Sequence, residues 1–145
     1  MMEWMLMPLR RYAEFDGRSR RMEYWMFTLF CVLVYAVLLL IMAAGLPWAE
    51  ITDMERPGAP SDPGVLFYIG MIGIVVFALG TIIPNIAVTI RRFHDQDLSG
   101  WFYLLNFIPY IGGLIVLVFM FIDGTRGPNR FGDSPKYDNA AAVFE

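Results

Sequence analysis

The chain has 145 residues, of which 57% are hydrophobic and 17% are charged, and its formal net charge is −3. This length leaves room for one domain. A water-soluble domain carries more charge because its surface must face water, whereas three long runs of this chain carry none. The composition therefore excludes an ordinary soluble fold and indicates an integral membrane protein. The net charge says little about partners, since basic and acidic residues lie in different segments.

Residues 1–23 combine apolar and basic side chains. Apolar residues recur at helical spacing from Met1 to Phe15, with Arg10 and Glu14 on another face. This spacing predicts a short amphipathic helix that lies in the membrane interface. A charged cluster lies directly before the first apolar run and consists of Arg18, Arg20, Arg21 and Glu23. We expect these arginines to stay at the level of the lipid headgroups and Glu23 to pair with one of them.

The first apolar run covers residues 24–45 and is long enough to cross the hydrocarbon, which takes roughly 20 helical residues. The run starts too far along the chain for a secretory signal, and it lacks a clear cleavage site. We therefore interpret it as a membrane span. Its single cysteine, Cys31, can form no disulfide within the chain. Residues 46–64 are rich in proline and acidic residues, which predicts an irregular exposed loop.

The second apolar run covers residues 65–90. Three small residues recur in it at seven-residue spacing and share one helix face: Gly73, Gly80 and Ala87. Such a face lets another helix approach closely in lipid. Pro84 removes a backbone donor, which predicts a kink near the end of the span. Thr81 and Asn85 beside it either satisfy the freed backbone or line a path for a polar solute.

The third apolar run, residues 101–122, is open to two interpretations. Asn106, Pro109 and two glycines interrupt its middle. It is either one span kinked at Pro109 or a re-entrant hairpin that turns there. Non-helical backbone within the hydrocarbon is stable only where protein or a water-filled cavity surrounds it. A chain of this size has little protein to surround a hairpin, so the kinked span is favoured. The predicted fold is all-α: three transmembrane helices, an N-terminal interfacial helix and a polar tail, residues 123–145.

The distribution of basic residues predicts the orientation. The N-terminal segment contains five arginines and residues 91–100 contain two, and positive residues concentrate on the cytoplasmic side. We therefore expect the N-terminus and residues 91–100 in the cytoplasm. With three spans, the acidic loop and the tail would lie outside. The hairpin would instead bring the tail back to the cytoplasmic side.

Residues 91–100 form a polar segment between two apolar runs. Its candidate site residues are Arg91, Arg92, His94, Asp95 and Ser99. One histidine in the whole chain cannot build a multi-histidine zinc site, so neither a metal nor a cofactor is predicted. We expect a polar network at the membrane interface, with Ser99 capping a helix that starts near Trp101. The tail residues Arg126, Asn129 and Arg130 would join this network if the last run is a hairpin.

Four sequence blocks carry a resemblance to a known family. They are Phe15–Trp25, Arg91–Asp95 with Ser99–Trp101, Pro109–Gly112 and Gly124–Gly132. In this order they resemble the YhaH-type family of small bacterial inner-membrane proteins, domain of unknown function 805. The match runs from about Trp4 to Pro135 and departs at Phe93, where the family typically has Leu. The resemblance implies a multi-pass inner-membrane protein and brings no established activity, cofactor or catalytic residue.

Our leading functional hypothesis is a non-enzymatic scaffold or accessory subunit. It would bind anionic lipids of the bilayer through its arginines and pack against a second copy or another membrane protein. Nucleic acid is not expected as a partner because the basic residues lie directly beside the spans. Two alternatives are an oligomeric transporter or channel component that uses Asn85 and Asn106, and a lipid-headgroup-modifying enzyme that uses His94 and Asp95. No catalytic residue is assigned.

Overall fold

The computed structural model describes residues 2–52 and 61–136, and these residues are almost entirely helices and turns. Across these two ranges there is no β-strand, only an isolated bridge between Asn129 and Gly132. The helices are α1 (Met2–Arg10), α2 (Arg21–Ala44), α3 (Trp48–Ile51), α4 (Val65–Asp95) and α5 (Gly112–Phe121), and a 3₁₀ helix (Gly100–Phe107) precedes α5. The predicted all-helical class is confirmed. Much of the predicted acidic loop and the last nine residues of the tail lie outside the described residues.

Two helices are long and apolar enough to cross a membrane among the described residues. α2 has 24 residues and α4 has 31, so they extend about 36 Å and about 46 Å, against roughly 30 Å of hydrocarbon. Large apolar side chains such as Leu40 and Leu79 are exposed along them. Water does not tolerate so extensive an apolar surface, whereas lipid tails solvate it. α4 also continues five residues beyond the predicted end of the second span, through Pro84 and as far as Asp95.

The third apolar run is a hairpin in the structure. The 3₁₀ helix ends at Phe107, the chain turns with Tyr110 in the left-handed region (φ 69°), and α5 begins at Gly112. α5 has only ten residues, about 15 Å, half of the hydrocarbon thickness. The structure does not confirm the single kinked span favoured by the sequence, because the turn at Pro109 separates two short arms.

Close packing joins the two arms of the hairpin and attaches α5 to α4. A side chain at Gly112 would overlap the carbonyl oxygen of Leu105, so the two arms meet backbone to backbone. Phe93 at the end of α4 is buried in one cluster with Val116 and Met120 of α5. Apolar contact with α4 thus covers one face of α5, whereas the 3₁₀ arm has no buried residue and Tyr110 at the turn is exposed.

The chain forms two compact units. The first comprises Met1–Leu29 and Thr81–Glu145, and the second Phe30–Gly80. In the second unit, α2 and α4 pack through glycines. A Cβ atom at Gly70 would lie 2.6 Å from the Cβ atom of Met42.

The three small residues of the predicted packing face have different surroundings. A Cβ atom at Gly73 would lie 2.8 Å from Cδ2 of Leu38, so Gly73 serves contact within the chain. A Cβ atom at Gly80 would meet no atom within 4 Å. Ala87, in the first unit, is fully buried. Whether this face also binds another protein stays a prediction.

Substituting alanine at Gly70 and at Gly80 separates close packing from helix propensity. Gly70→Ala is expected to lower the free energy of unfolding in detergent by about 1–3 kcal/mol, because its new methyl group meets the backbone of Met42. Gly80→Ala is the matched control and is expected to be neutral or stabilising by up to about 1 kcal/mol, the gain in helix propensity. Thermal and denaturant unfolding measure both. Equal effects of the two substitutions would contradict the packing described here.

Candidate functional site

Five buried charged residues of the first unit form what we term the arginine cluster. Its members are Arg18, Glu23, Arg91, Arg92 and Asp95. Arg92 lies in the last turn of α4, which ends at Asp95, and Arg91 directly precedes that turn. Glu23 lies in the first turn of α2. Buried charges are costly unless they are paired and hydrogen-bonded. Three guanidinium groups here face two carboxylates, and each group also donates to backbone carbonyls.

Arg91 and Glu23 form the more deeply buried ion pair. Nη2 of Arg91 lies 2.8 Å from Oε1 of Glu23, and the side chains are 0% and 3% exposed. Nη1 of Arg91 donates to the carbonyl oxygen of Glu14 at 2.5 Å. The Glu14 side chain pairs at the surface with Arg11, and this hydrogen bond lowers the pKa of Glu14 and raises the pKa of Arg11. The segment after α1 is thereby attached to the end of α4.

Asp95 binds two arginines, one with each carboxylate oxygen. Nε of Arg18 lies 2.9 Å from Oδ1, and Nη1 of Arg92 lies 2.5 Å from Oδ2. The carbonyl oxygen of Asp95 accepts a hydrogen bond from the backbone of Thr125 at 2.8 Å. A side chain at Gly124 would overlap the Asp95 carboxylate, so glycine is required where the tail passes it.

Both terminal nitrogens of the Arg18 guanidinium group bind the tail. Nη1 donates to the carbonyl oxygen of Gly127 and Nη2 to that of Thr125, both at 2.7 Å. The flat, forked group can bind a carboxylate on one edge and carbonyls on the other, which a lysine cannot do. Gly17, just before it, adopts φ +83°, a conformation that glycine takes without strain. Arg92 completes the attachment, since its Nη2 donates to the carbonyl oxygen of Ile122.

His94 is held between the N-terminal turn and the tail. Its ring stacks on Phe131 with centroids 3.8 Å apart and planes 4° apart. Its Nδ1 lies 3.3 Å from the carbonyl oxygen of Gly17. The side chain of Asn129 donates to the carbonyl oxygen of His94 at 2.8 Å. These contacts make His94 a packing residue.

Other predicted site residues lie around the cluster in exposed pairs. Arg21 lies 3.0 Å from Asp123, and Arg130 lies 3.1 Å from Asp97. Exposed pairs of this kind contribute less than about 1 kcal/mol, so they do not hold the fold.

Aromatic and capping contacts account for three more predicted residues. The guanidinium group of Arg20 lies 5.6 Å from the ring centre of Trp4, a cation–π contact. Ser99 is the N-cap of the 3₁₀ helix, and its oxygen accepts from the backbone of Trp101 at 3.5 Å. The Trp101 side chain itself is exposed.

A pocket of about 610 Å³ lies beside the arginine cluster. Its basic lining residues are Arg20, Arg21, Arg126 and Lys136. Its apolar wall consists of Met22, Trp25 and Met26 from the first turns of α2. Two carboxylates also line it, and both are paired with arginines, Asp95 with two and Asp123 with one. We term this space the cationic pocket. Positive charge beside an apolar wall suits an anionic amphiphile.

Several functional groups of the site carry no sequence signal. The carbonyls that accept from Arg18 and Arg92 belong to Thr125, Gly127 and Ile122, and any residue supplies a carbonyl. The density of glycine in the tail is the one available signal, because close backbone approach needs it. Among the described residues, no group of three or more His, Cys, Asp or Glu side chains is arranged to hold a metal ion.

Substitution of Asp95 or Asp97 distinguishes the buried cluster from the exposed pairs. Asp95→Ala is expected to lower the free energy of unfolding by about 3–5 kcal/mol, since it leaves Arg18 and Arg92 buried without a carboxylate. Asp97→Ala, the control two residues away, is expected to cost less than about 1 kcal/mol because its pair is exposed. Denaturant titration of the purified protein measures both. Similar losses would contradict a stabilising role for the cluster.

Comparison with known proteins agrees with the resemblance in the sequence blocks. The family model described as Protein of unknown function (DUF805) matches residues 12–133. Inner membrane protein YhaI of Escherichia coli (strain K12) is 40% identical over 136 residues, which cover 94% of this chain and 98% of the relative. Inner membrane protein YhaH of the same strain is 42% identical over 137 residues, covering 94% and 99%. No solved structure shows a significant match. The chain therefore belongs to the DUF805 family, whose relatives here are inner membrane proteins and whose function is unknown.

Proposed function

We propose that this protein is a non-enzymatic membrane scaffold that holds an anionic phospholipid in the cationic pocket. The observation that carries the proposal is the lining of that pocket, where four basic side chains border the apolar wall formed by Met22, Trp25 and Met26. The lipid phosphate would bind the basic side chains, and the start of its acyl chains would lie on the apolar wall. Guanidinium groups suit this role because they bind phosphate through two parallel hydrogen bonds.

The charges around the pocket support an anionic ligand. Four cations face two carboxylates, and the Asp95 carboxylate is already bound by Arg18 and Arg92. The local potential is therefore positive, as a bound phosphate requires. A scaffold role also agrees with His94, which packs on Phe131 and is absent from the pocket lining. This placement weighs against a headgroup-modifying enzyme that uses His94.

We further propose a topology of two crossings with a re-entrant hairpin. α2 and α4 would cross the bilayer, α1 would lie in the interface, and both termini would face the cytoplasm. The hydrogen bonds from Arg18 to Thr125 and Gly127 support this arrangement, because they tie the N-terminal segment to the tail. The N-terminal arginines, Arg91, Arg92 and the tail arginines then share the cytoplasmic side, in agreement with the positive-inside rule. A third crossing would separate the tail from Arg18.

Lipid selectivity tests the scaffold proposal. The full chain is expected to bind phosphatidylglycerol more tightly than phosphatidylcholine. Arg126→Gln is expected to weaken phosphatidylglycerol binding about fivefold, because it removes one cation near the lipid phosphate. Arg10→Gln is the matched control, since Arg10 belongs to α1 and does not line the pocket. Native mass spectrometry of lipid-bound protein measures each affinity. Equal binding of the two lipids, or equal losses in the two variants, would refute the proposal.

Reporter fusions test the topology independently. A green fluorescent protein fused after Glu145 is expected to fluoresce, and alkaline phosphatase at the same position to be inactive, because the C-terminus would face the cytoplasm. Alkaline phosphatase inserted at Ser61, between α3 and α4, is expected to be active. Active phosphatase after Glu145 would show that the last run crosses the bilayer.

A further inference from the structure

A second cavity of about 310 Å³ lies in the first unit, separate from the cationic pocket. Its polar lining comes from α2, α4 and the hairpin: Tyr24, Asn85, Thr89, Tyr103 and Asn106. Gly113, Val116 and Leu117 of α5 complete it. We term it the carboxamide cleft. All of its lining side chains are uncharged at neutral pH, in contrast to the cationic pocket.

The two asparagines of the cleft differ from its threonine in their hydrogen bonding. In the described part of the chain, neither carboxamide side chain makes a hydrogen bond, whereas the nearby Thr89 hydroxyl donates to the backbone carbonyl of Asn85 at 2.7 Å. Both asparagines are exposed at the surface of the chain. Among lipid acyl chains, where water is absent, the two donors and the acceptor of each carboxamide would remain unsatisfied. Two such groups at one cavity indicate that the cavity receives something that satisfies them.

The position of the cleft along α4 restricts that ligand. Asn85 precedes Arg91 by six residues, about 9 Å along the helix, on the apolar side of the arginine cluster. A ligand at that depth reaches the site from the bilayer. The lining offers no cation or anion to balance a charge, so a charged headgroup would be strongly disfavoured there.

We propose that the carboxamide cleft binds the uncharged, oxygen-bearing head of a lipid dissolved in the bilayer. The side chains of Asn85 and Asn106 would donate hydrogen bonds to its carbonyl or hydroxyl oxygens, and the apolar tail would remain among the acyl chains. One water occupies about 30 Å³ of liquid, so the cleft holds a head of roughly ten non-hydrogen atoms. A glycerol head with ester carbonyls, as in diacylglycerol, and a quinone ring both have this chemistry and size.

Titration of two neutral probes tests the proposal and distinguishes its two sources. The full chain in phosphatidylcholine nanodiscs is titrated separately with dioctanoylglycerol and with decylubiquinone, and binding is followed by native mass spectrometry. One of them is expected to saturate at one molecule per chain, and the one that binds identifies the source. Asn85→Leu is expected to raise its Kd at least tenfold.

Two further variants separate loss of the site from misfolding. Gly113→Leu removes no polar group, and its first added atom meets only Oδ1 of Asn106, at 3.9 Å, so it fills the cleft without a clash at Cβ. It is also expected to raise the Kd at least tenfold at unchanged thermal stability. Arg126→Gln in the cationic pocket is the control and is expected to leave neutral-probe binding unchanged, even if the scaffold proposal fails.

Three results would overturn the inference. The first is absence of saturable binding of either probe to the wild-type chain. The second is wild-type affinity in both Asn85→Leu and Gly113→Leu. The third is that neither probe binds, that the wild-type chain is a dimer and that Asn85→Leu is a monomer. This result would show that a second copy of the chain forms hydrogen bonds with the asparagines.

Discussion

The pairing of Asp95 with Arg18 and Arg92 joins parts of the chain that are distant in sequence. Arg18 and Asp95 are 77 residues apart, and Arg18 also reaches carbonyls more than 100 residues away. Once these guanidinium groups are removed from water, each needs a carboxylate and several further acceptors. The observed arrangement meets that need by bringing the N-terminal turn, the end of α4 and the tail to one place. Nε of Arg91 and Nε of Arg92 remain buried without a partner among the described residues, which makes the cluster depend more strongly on its two carboxylates.

This constraint also determines the path of the last apolar run. The run leaves α4 just after Asp95, and the carbonyl of Ile122 at its far end returns to Arg92. The segment must therefore turn back, and it does so at Pro109 with its arms packed through Gly112. The cationic pocket follows from the same attachment, because the returning tail supplies one wall and the start of α2 supplies another. The attachment of the tail to α4 therefore accounts for both the arginine cluster and the cationic pocket.

The sequence predicts the long helices well and the hairpin poorly, for a physical reason. Length and absence of charge identify α2 and α4, since a span needs little else. Glu23, an isolated acid among arginines, suggests an ion pair with one of its neighbours, whereas in the structure its partner is Arg91, 68 residues away. A kinked span and a hairpin, however, can contain the same uncharged residues. Which of the two forms depends on hydrogen bonds from Arg18 to backbone carbonyls of the tail. Every residue has such a carbonyl, so the sequence does not identify these acceptors. The polar residues after Ile90 likewise mark the end of the apolar run while the helix itself continues to Asp95.

A double-mutant cycle on Glu23 and Arg91 tests most directly whether buried ion pairing holds these elements together. Glu23→Gln, Arg91→Met and the double variant are compared by denaturant unfolding of the purified protein. Because the pair is almost completely buried, the single substitutions are expected to be coupled by at least about 1 kcal/mol, so that the double variant loses less stability than their sum. Additive losses, with coupling near zero, would contradict the central role of the arginine cluster.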